Sequence, residues 1–148
     1  ASKVKFALSD IYFVISNRHT FGGSTMTNAA SLYQGASINT ATPAELTLML
    51  YNGAIKFCNQ AMAGIEEKNV EKANNNLIKA QNIIWELQGT LDFKYKVAKD
   101  FDIIYQRILR NLLMANIRKD ADKLNEALED IRGMRDVWVE VMKAAKNS

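Results

Sequence analysis

The sequence predicts an all-α protein, an antiparallel up-down four-helix bundle preceded by an irregular N-terminal arm. Three observations carry that prediction. Apolar residues recur at spacings of three and four through four long stretches, the signature of amphipathic helices. The single proline is Pro43, so nothing downstream of it interrupts a helix. The stretches are joined by roughly two to five residues, which favours antiparallel neighbours. A length of 148 residues, 48% hydrophobic and 24% charged, suits one domain with a sizeable core and excludes a disordered or collagen-like chain.

Residues 1–25 differ from the rest of the chain. Ile11-Tyr12-Phe13-Val14-Ile15 is a β-branched and aromatic run. Asp10 interrupts the apolar stretch, so it makes a poor signal peptide. Gly22-Gly23-Ser24 then has linker composition, and Met26 could serve as an initiator. The segment reads as a tag, linker or tethered peptide, with a native extension as the alternative. Residues 26–42 are rich in Ser, Thr, Asn and Ala, with Leu32, Tyr33 and Ile38 as isolated apolar anchors, and read as an arm without its own core. The helical bundle domain is expected over 43–148.

Thr42-Pro43-Ala44-Glu45 is a strong helix start. Thr42 can cap, Pro43 loses nothing at the first helical position, and Glu45 completes a capping box. The first helix is expected over 43–67, ending near Lys68-Asn69, with Asn69 as its stop. The second, over 70–89, rests on Val70, Ala73, Leu77, Ala80, Ile84 and Leu87, and breaks at Gly89-Thr90. The third, over 94–119, rests on Val97, Phe101, Ile104, Ile108, Leu112 and Ala115. The fourth, over 121–145, rests on Leu124, Ala127, Leu128, Ile131, Met134, Trp138 and Met142. Trp85 and Trp138 are expected as core anchors.

The first helix carries more apolar surface than one stripe requires. Leu46, Met49, Leu50, Gly53, Phe57 and Ala61 form one stripe. Leu48, Tyr51, Ile55, Cys58 and Met62 form a second, roughly 130° away at 100° per residue. Beside the third helix's main stripe lie Leu109, Leu113 and Ile117. Either the first helix is simply central, or its second stripe lines a groove for another chain.

Charge and residue chemistry exclude several functions. Residues 1–25 hold Lys3, Lys5 and Arg18 against Asp10, leaving 16 basic and 15 acidic side chains in the other 123 residues. A nearly neutral body argues against nucleic-acid binding. No run reaches the roughly 18 apolar residues of a membrane span. One His and one Cys cannot build a Cys/His zinc site, and a di-iron bundle needs Glu-x-x-His motifs that the lone His19 cannot supply. There is no phosphate loop, and the closest carboxylates, Glu66-Glu67 and Asp100/Asp102, diverge on a helix. Cys58 reads as an inert buried thiol. No cofactor or metal is expected, and the chain reads as a binding protein rather than an enzyme.

The run Thr42-Pro43-Ala44-Glu45-Leu46-Thr47-Leu48-Met49-Leu50-Tyr51-Asn52-Gly53-Ala54-Ile55 resembles the opening helix of the FliS family of flagellin-specific export chaperones, whose pattern is close to SPEELVLMLYDGAI. Lys72-Ala73-Asn74 with Leu77-Ile78-Lys79-Ala80-Gln81, Ala115 to Asp120, and Arg135-Asp136-Val137-Trp138 also match, as does Tyr33-Gln34 in the arm. The likeness spans about residues 26–145 in order and spacing. Asn52 stands where that family usually has Asp.

The resemblance implies a bacterial cytoplasmic chaperone that binds the C-terminal segment of flagellin, prevents premature polymerisation and keeps it competent for the flagellar type III export apparatus. Leu48, Tyr51, Ile55 and Met62 would line the cargo groove, with Leu109, Leu113 and Ile117 opposite. Leu32 and Tyr33 of the arm would cover the site when it is empty. The alternative is a helical self-association or adaptor module, since the same stripe could serve a homodimer in the cargo-free state.

Overall fold

A computed structural model describes residues 41–147. The expected arm, with Leu32 and Tyr33, and the segment 1–25 lie outside the described residues. Four helices follow in order: α1 (Pro43–Glu66), α2 (Val70–Gly89), α3 (Lys96–Arg118) and α4 (Ala121–Asn147). Among the described residues there is no strand. Helix α1 packs on α2 and α4, and α3 packs on the same two. The helices therefore form a ring in chain order, with α1 and α3 on one diagonal. The fold is the up-down four-helix bundle that the periodicity predicts.

Local chemistry explains each boundary. Thr42 Oγ1 accepts from the Glu45 amide at 3.1 Å, and Glu45 Oε1 accepts from the Thr42 amide at 2.9 Å, the complete capping box. Helix α1 ends at Glu66, close to the Lys68-Asn69 end that the sequence suggests, but the residue that closes it is Lys68 rather than Asn69: Lys68 takes the left-handed conformation at φ 58°, and the Asn69 amide returns to the Gly64 carbonyl at 2.8 Å. Asn69 instead caps α2, its Oδ1 accepting from the Lys72 amide at 3.0 Å. A short carbonyl-bearing side chain satisfies an orphan N–H better than it ends a helix already closed by its neighbour. The same closure recurs after α3, where Lys119 has φ 51° and the Asp120 amide reaches the Ala115 carbonyl. Asp120 Oδ1 then accepts from the Asp122 amide at 2.9 Å and starts α4. Helix α3 begins two residues later than expected because Asp92 to Tyr95 form a hydrogen-bonded turn.

The core runs the length of the ring. Leu50, Ala54, Leu77, Ile84, Ile108, Leu112, Leu124 and Ile131 are all fully buried. Trp138 is buried as expected, and its Nε1 donates to the Ala44 carbonyl at 3.0 Å, fastening α4 to the first turn of α1. Trp85 is not a core anchor: it is 53% exposed. It follows the buried Ile84 and so points about 100° away from the core arc.

Tyr51 and Tyr105 meet across the ring's diagonal, their hydroxyls 2.6 Å apart and both side chains fully enclosed. Burial pushes both phenols well above the ordinary tyrosine range. Tyr51→Phe should cost about 1–3 kcal/mol, because it strands the Tyr105 hydroxyl in an apolar core. Adding Tyr105→Phe should then cost less than its effect alone, and a double-mutant cycle by urea denaturation measures that difference. Additive losses would show that the two hydroxyls do not depend on each other.

Candidate functional apolar faces

Two adjoining helix pairs leave apolar side chains only partly covered, and they lie on opposite sides of the ring. The first face is the α1/α4 seam. Leu48, Ile55 and Met62 recur every seven residues along α1, so they keep to one side of it. All three are half-buried against the core. Leu48 lies with Val139 and Met142 of α4 in the floor of an open groove of ≈ 510 Å³ at the N-terminal end of α1. Glu45, Lys143 and Lys146 stand at its edge. Midway along the seam, Arg135 reaches Asn52 Oδ1 only at 3.5 Å, while its Nε donates to Asp136 at 3.0 Å. A carboxylate at position 52 would pair with that guanidinium across the seam. The asparagine leaves a long neutral contact instead.

Tyr51, expected beside these residues in the groove, is interior, and its hydroxyl is already engaged by Tyr105. On the helix it falls between the core centre and the α4 flank, which a two-stripe reading of α1 cannot resolve. Cys58 is likewise enclosed, and burial pushes its thiol up to about 12 against a smaller opposing pull from Arg132. It stays a protonated thiol at neutral pH.

The second face is the α2/α3 seam. Leu109 is half-buried, Leu113 is 49% exposed and Ile117 67% exposed. The sequence-based expectation set these three opposite Leu48, Ile55 and Met62 in one groove. The fold does not bring them together, because α1 and α3 are diagonal and each turns its spare apolar flank to a different neighbour. Their companions are Ile78 and Trp85 of α2, which the sequence reading did not select. Their signal was present: they are seven residues apart and both fall outside the Ala73–Leu77–Ala80–Ile84–Leu87 stripe. Amides tie the seam at both ends. Asn116 Nδ2 donates to Asn74 Oδ1 at 2.8 Å, and Gln88 Nε2 donates to Asp102 Oδ1 at 2.9 Å.

The charged groups serve the scaffold. Arg107 makes a two-pronged contact with Asp130, at 2.8 and 2.9 Å, linking α3 to α4. Its hydrogen bonds to that carboxylate hold the guanidinium pKa above its usual value. Among the described residues no three His, Cys, Asp or Glu side chains gather as a metal site, and no helix is long and apolar enough to cross a membrane. The arrangement can offer apolar surface to another chain.

Comparison with known proteins agrees with that character. The sequence pattern of the family described as flagellar protein FliS matches residues 26–145. The chain is 42% identical over 119 residues to the flagellar secretion chaperone FliS of Bacillus subtilis strain 168, covering 80% of this chain and 90% of that protein. It is 29% identical over 115 residues to the flagellar secretion chaperone FliS of Campylobacter jejuni, covering 76% and 90%. It is 27% identical over 108 residues to that of Vibrio cholerae, covering 72% and 79%. With a matched segment that takes in nearly all of the described bundle, this chain belongs to the FliS family, flagellar secretion chaperones and not enzymes.

Proposed function

We propose that this chain acts in the bacterial cytoplasm, binds the C-terminal segment of flagellin, prevents its premature polymerisation and passes it to the flagellar type III export apparatus. The observation that carries this reading is the partly covered apolar stripe Leu48–Ile55–Met62 on α1, continued by Val139 and Met142 at its open end. A near-neutral body fits a cargo held by apolar burial rather than by charge. A segment that orders only on binding spends part of its contact energy on that ordering, about 2–5 kcal/mol or more, which leaves an affinity low enough for release. Leu109, Leu113 and Ile117 serve the same cargo on the α2/α3 side, so the bound segment passes around the bundle. Leu32 and Tyr33 cover the α1/α4 groove when it is empty. In support of that role, the chain joins the described bundle at Ala41, beside Thr42 at the groove's edge.

The test is pull-down by a flagellin C-terminal peptide, with helicity followed by circular dichroism. Ile55→Asp should reduce capture at least tenfold while the far-ultraviolet spectrum stays helical. Deleting residues 26–39 should tighten binding or raise aggregation. Light scattering should find a 1:1 complex with peptide. Undiminished capture by Ile55→Asp would move the cargo site off α1, and a homodimer indifferent to peptide would favour the self-association reading.

A further inference from the structure

The bundle is near neutral as a whole, but its charge is uneven around the ring. Arg132, Arg135, Lys143 and Lys146 fall within an arc of about 80° on α4 at 100° per residue, along about 21 Å of helix. Three observations place that arc on the α1/α4 seam. Arg135 reaches Asn52 of α1, Lys143 and Lys146 edge the groove floored by Leu48, and Arg132 lies close enough to Cys58 to pull on its thiol. Helix α1 answers with no acidic side chain over residues 46–65. Glu45, at its start, has its carboxylate engaged by the Thr42 amide. The carboxylates that do meet the row come from α4 itself. Asp136 accepts from Arg135 Nε at 3.0 Å but is 70% exposed, and Glu140 lies 3.5 Å from Lys143 with both side chains about two-thirds exposed. Exposed pairs of that kind contribute little. Arg135 is the deepest of the four, its side chain 32% exposed, and its cross-seam partner is a neutral amide at 3.5 Å.

We propose, resting on the flagellin reading, that this row selects which cargo segment lies on the α1/α4 seam: Arg135, flanked by Arg132 and Lys143, pairs with acidic side chains of an amphipathic segment whose apolar residues fill the Leu48–Ile55–Met62 stripe. Apolar burial supplies the affinity, and the cations set which segment and register are accepted. A guanidinium at the edge of an apolar groove is planar and weakly hydrated, and it can hold a carboxylate at two points, which suits Arg135 to the central role. The length of the row selects acidic side chains as the ligand. A single chain-terminal carboxylate would meet one cation and leave the others to water. The recessed floor selects a peptide. A nucleic acid would engage the cations but leave the half-buried apolar stripe unfilled, and a flat lipid surface could not reach into it. Asn52 belongs to the same device. An aspartate there would pair with Arg135 from within the bundle and compete with the carboxylate of the ligand.

The full chain is titrated, by fluorescence anisotropy, into a labelled synthetic flagellin C-terminal peptide and into the same peptide with every Asp and Glu replaced by Asn and Gln. Arg135→Gln, Asn52→Asp and a control, Arg110→Gln at an exposed position of α3, are compared with the unaltered chain, with helicity followed by circular dichroism. The unaltered chain should bind the natural peptide about fivefold more tightly than the neutralised one, the scale of one partly exposed ion pair. Arg135→Gln and Asn52→Asp should each remove most of that preference, and Arg110→Gln should keep it. Raising NaCl from about 50 to 500 mM should erode it. Equal binding of the two peptides, or a preference that survives either seam variant, would overturn the charge selection while leaving the flagellin reading intact. A preference lost when only the peptide's C-terminus is amidated would give Arg135 to the terminal carboxylate and overturn the side-chain pairing. Arg135-dependent binding to phosphatidylserine vesicles, with no preference between the peptides, would assign the row to a membrane surface and overturn it likewise. Failure to bind either peptide would defeat the flagellin reading and this inference together.

Discussion

Gly64→Ala should destabilise the bundle by about 2–3 kcal/mol, although the same change usually stabilises a helix. A Cβ built on Gly64 would lie 2.7 Å from the Ala73 amide nitrogen and 3.1 Å from its Cα. Both atoms are backbone, so no side chain can rotate aside, and α2 must move away from α1. Gly64 also supplies the carbonyl that accepts from Asn69 and closes α1, so the shift would be felt at the turn. Gly133→Ala is the matched control. A Cβ added at Gly133 would meet no atom within 4 Å beyond its own helix backbone and chain neighbours, and α4 should gain up to about 1 kcal/mol of helix propensity. Urea denaturation of the two variants should move the midpoints in opposite directions. A stabilised Gly64→Ala would mean that the α1–α2 approach is looser than its geometry indicates.

Trp138→Ala should have the largest effect of any single truncation, about 3–5 kcal/mol. The indole is 1% exposed, among the largest fully enclosed side chains, and its removal leaves a cavity at the end of the ring. The hydrogen bond to the Ala44 carbonyl is lost with it, releasing α4 from the first turn of α1. For a domain whose whole stability is of order 5–15 kcal/mol, the midpoint should fall by about a fifth or more of its value. Trp85→Ala should cost far less, about 1–2 kcal/mol at most, because half of its ring already faces water. Equal losses in the two variants would contradict the contrast in burial between them.

Much of the architecture is legible in the amino-acid order alone. The capping box at Thr42 is a purely local device, and the helical periods of Leu77–Ala80–Ile84–Leu87 and Leu124–Ala127–Leu128–Ile131 name the buried faces correctly. Asn69 misleads because one short polar side chain can end one helix or begin the next. The choice depends on Lys68 accepting a left-handed backbone, which no propensity favours. Trp85 misleads because its residue type suggests burial while its phase on the helix points to water. Tyr51 misleads because an apolar flank and an enclosed polar contact look alike until the partner hydroxyl is known.

The candidate site is legible in part. The seven-residue repeat of Leu48, Ile55 and Met62 is visible in the sequence, as is the spare flank of Leu109, Leu113 and Ile117. Helical period assigns each residue an angle on its own helix, and composition excludes the chemistries that need His, Cys or clustered charge. Period carries no information about which flank of one helix meets which flank of another. Side-chain packing and the interhelical contacts Trp138–Ala44, Asn116–Asn74 and Gln88–Asp102 set that relation. Those contacts divide the single expected groove into two faces on opposite sides of the ring, and bring Ile78 and Trp85 beside Leu113, residues that only packing across two helices could unite.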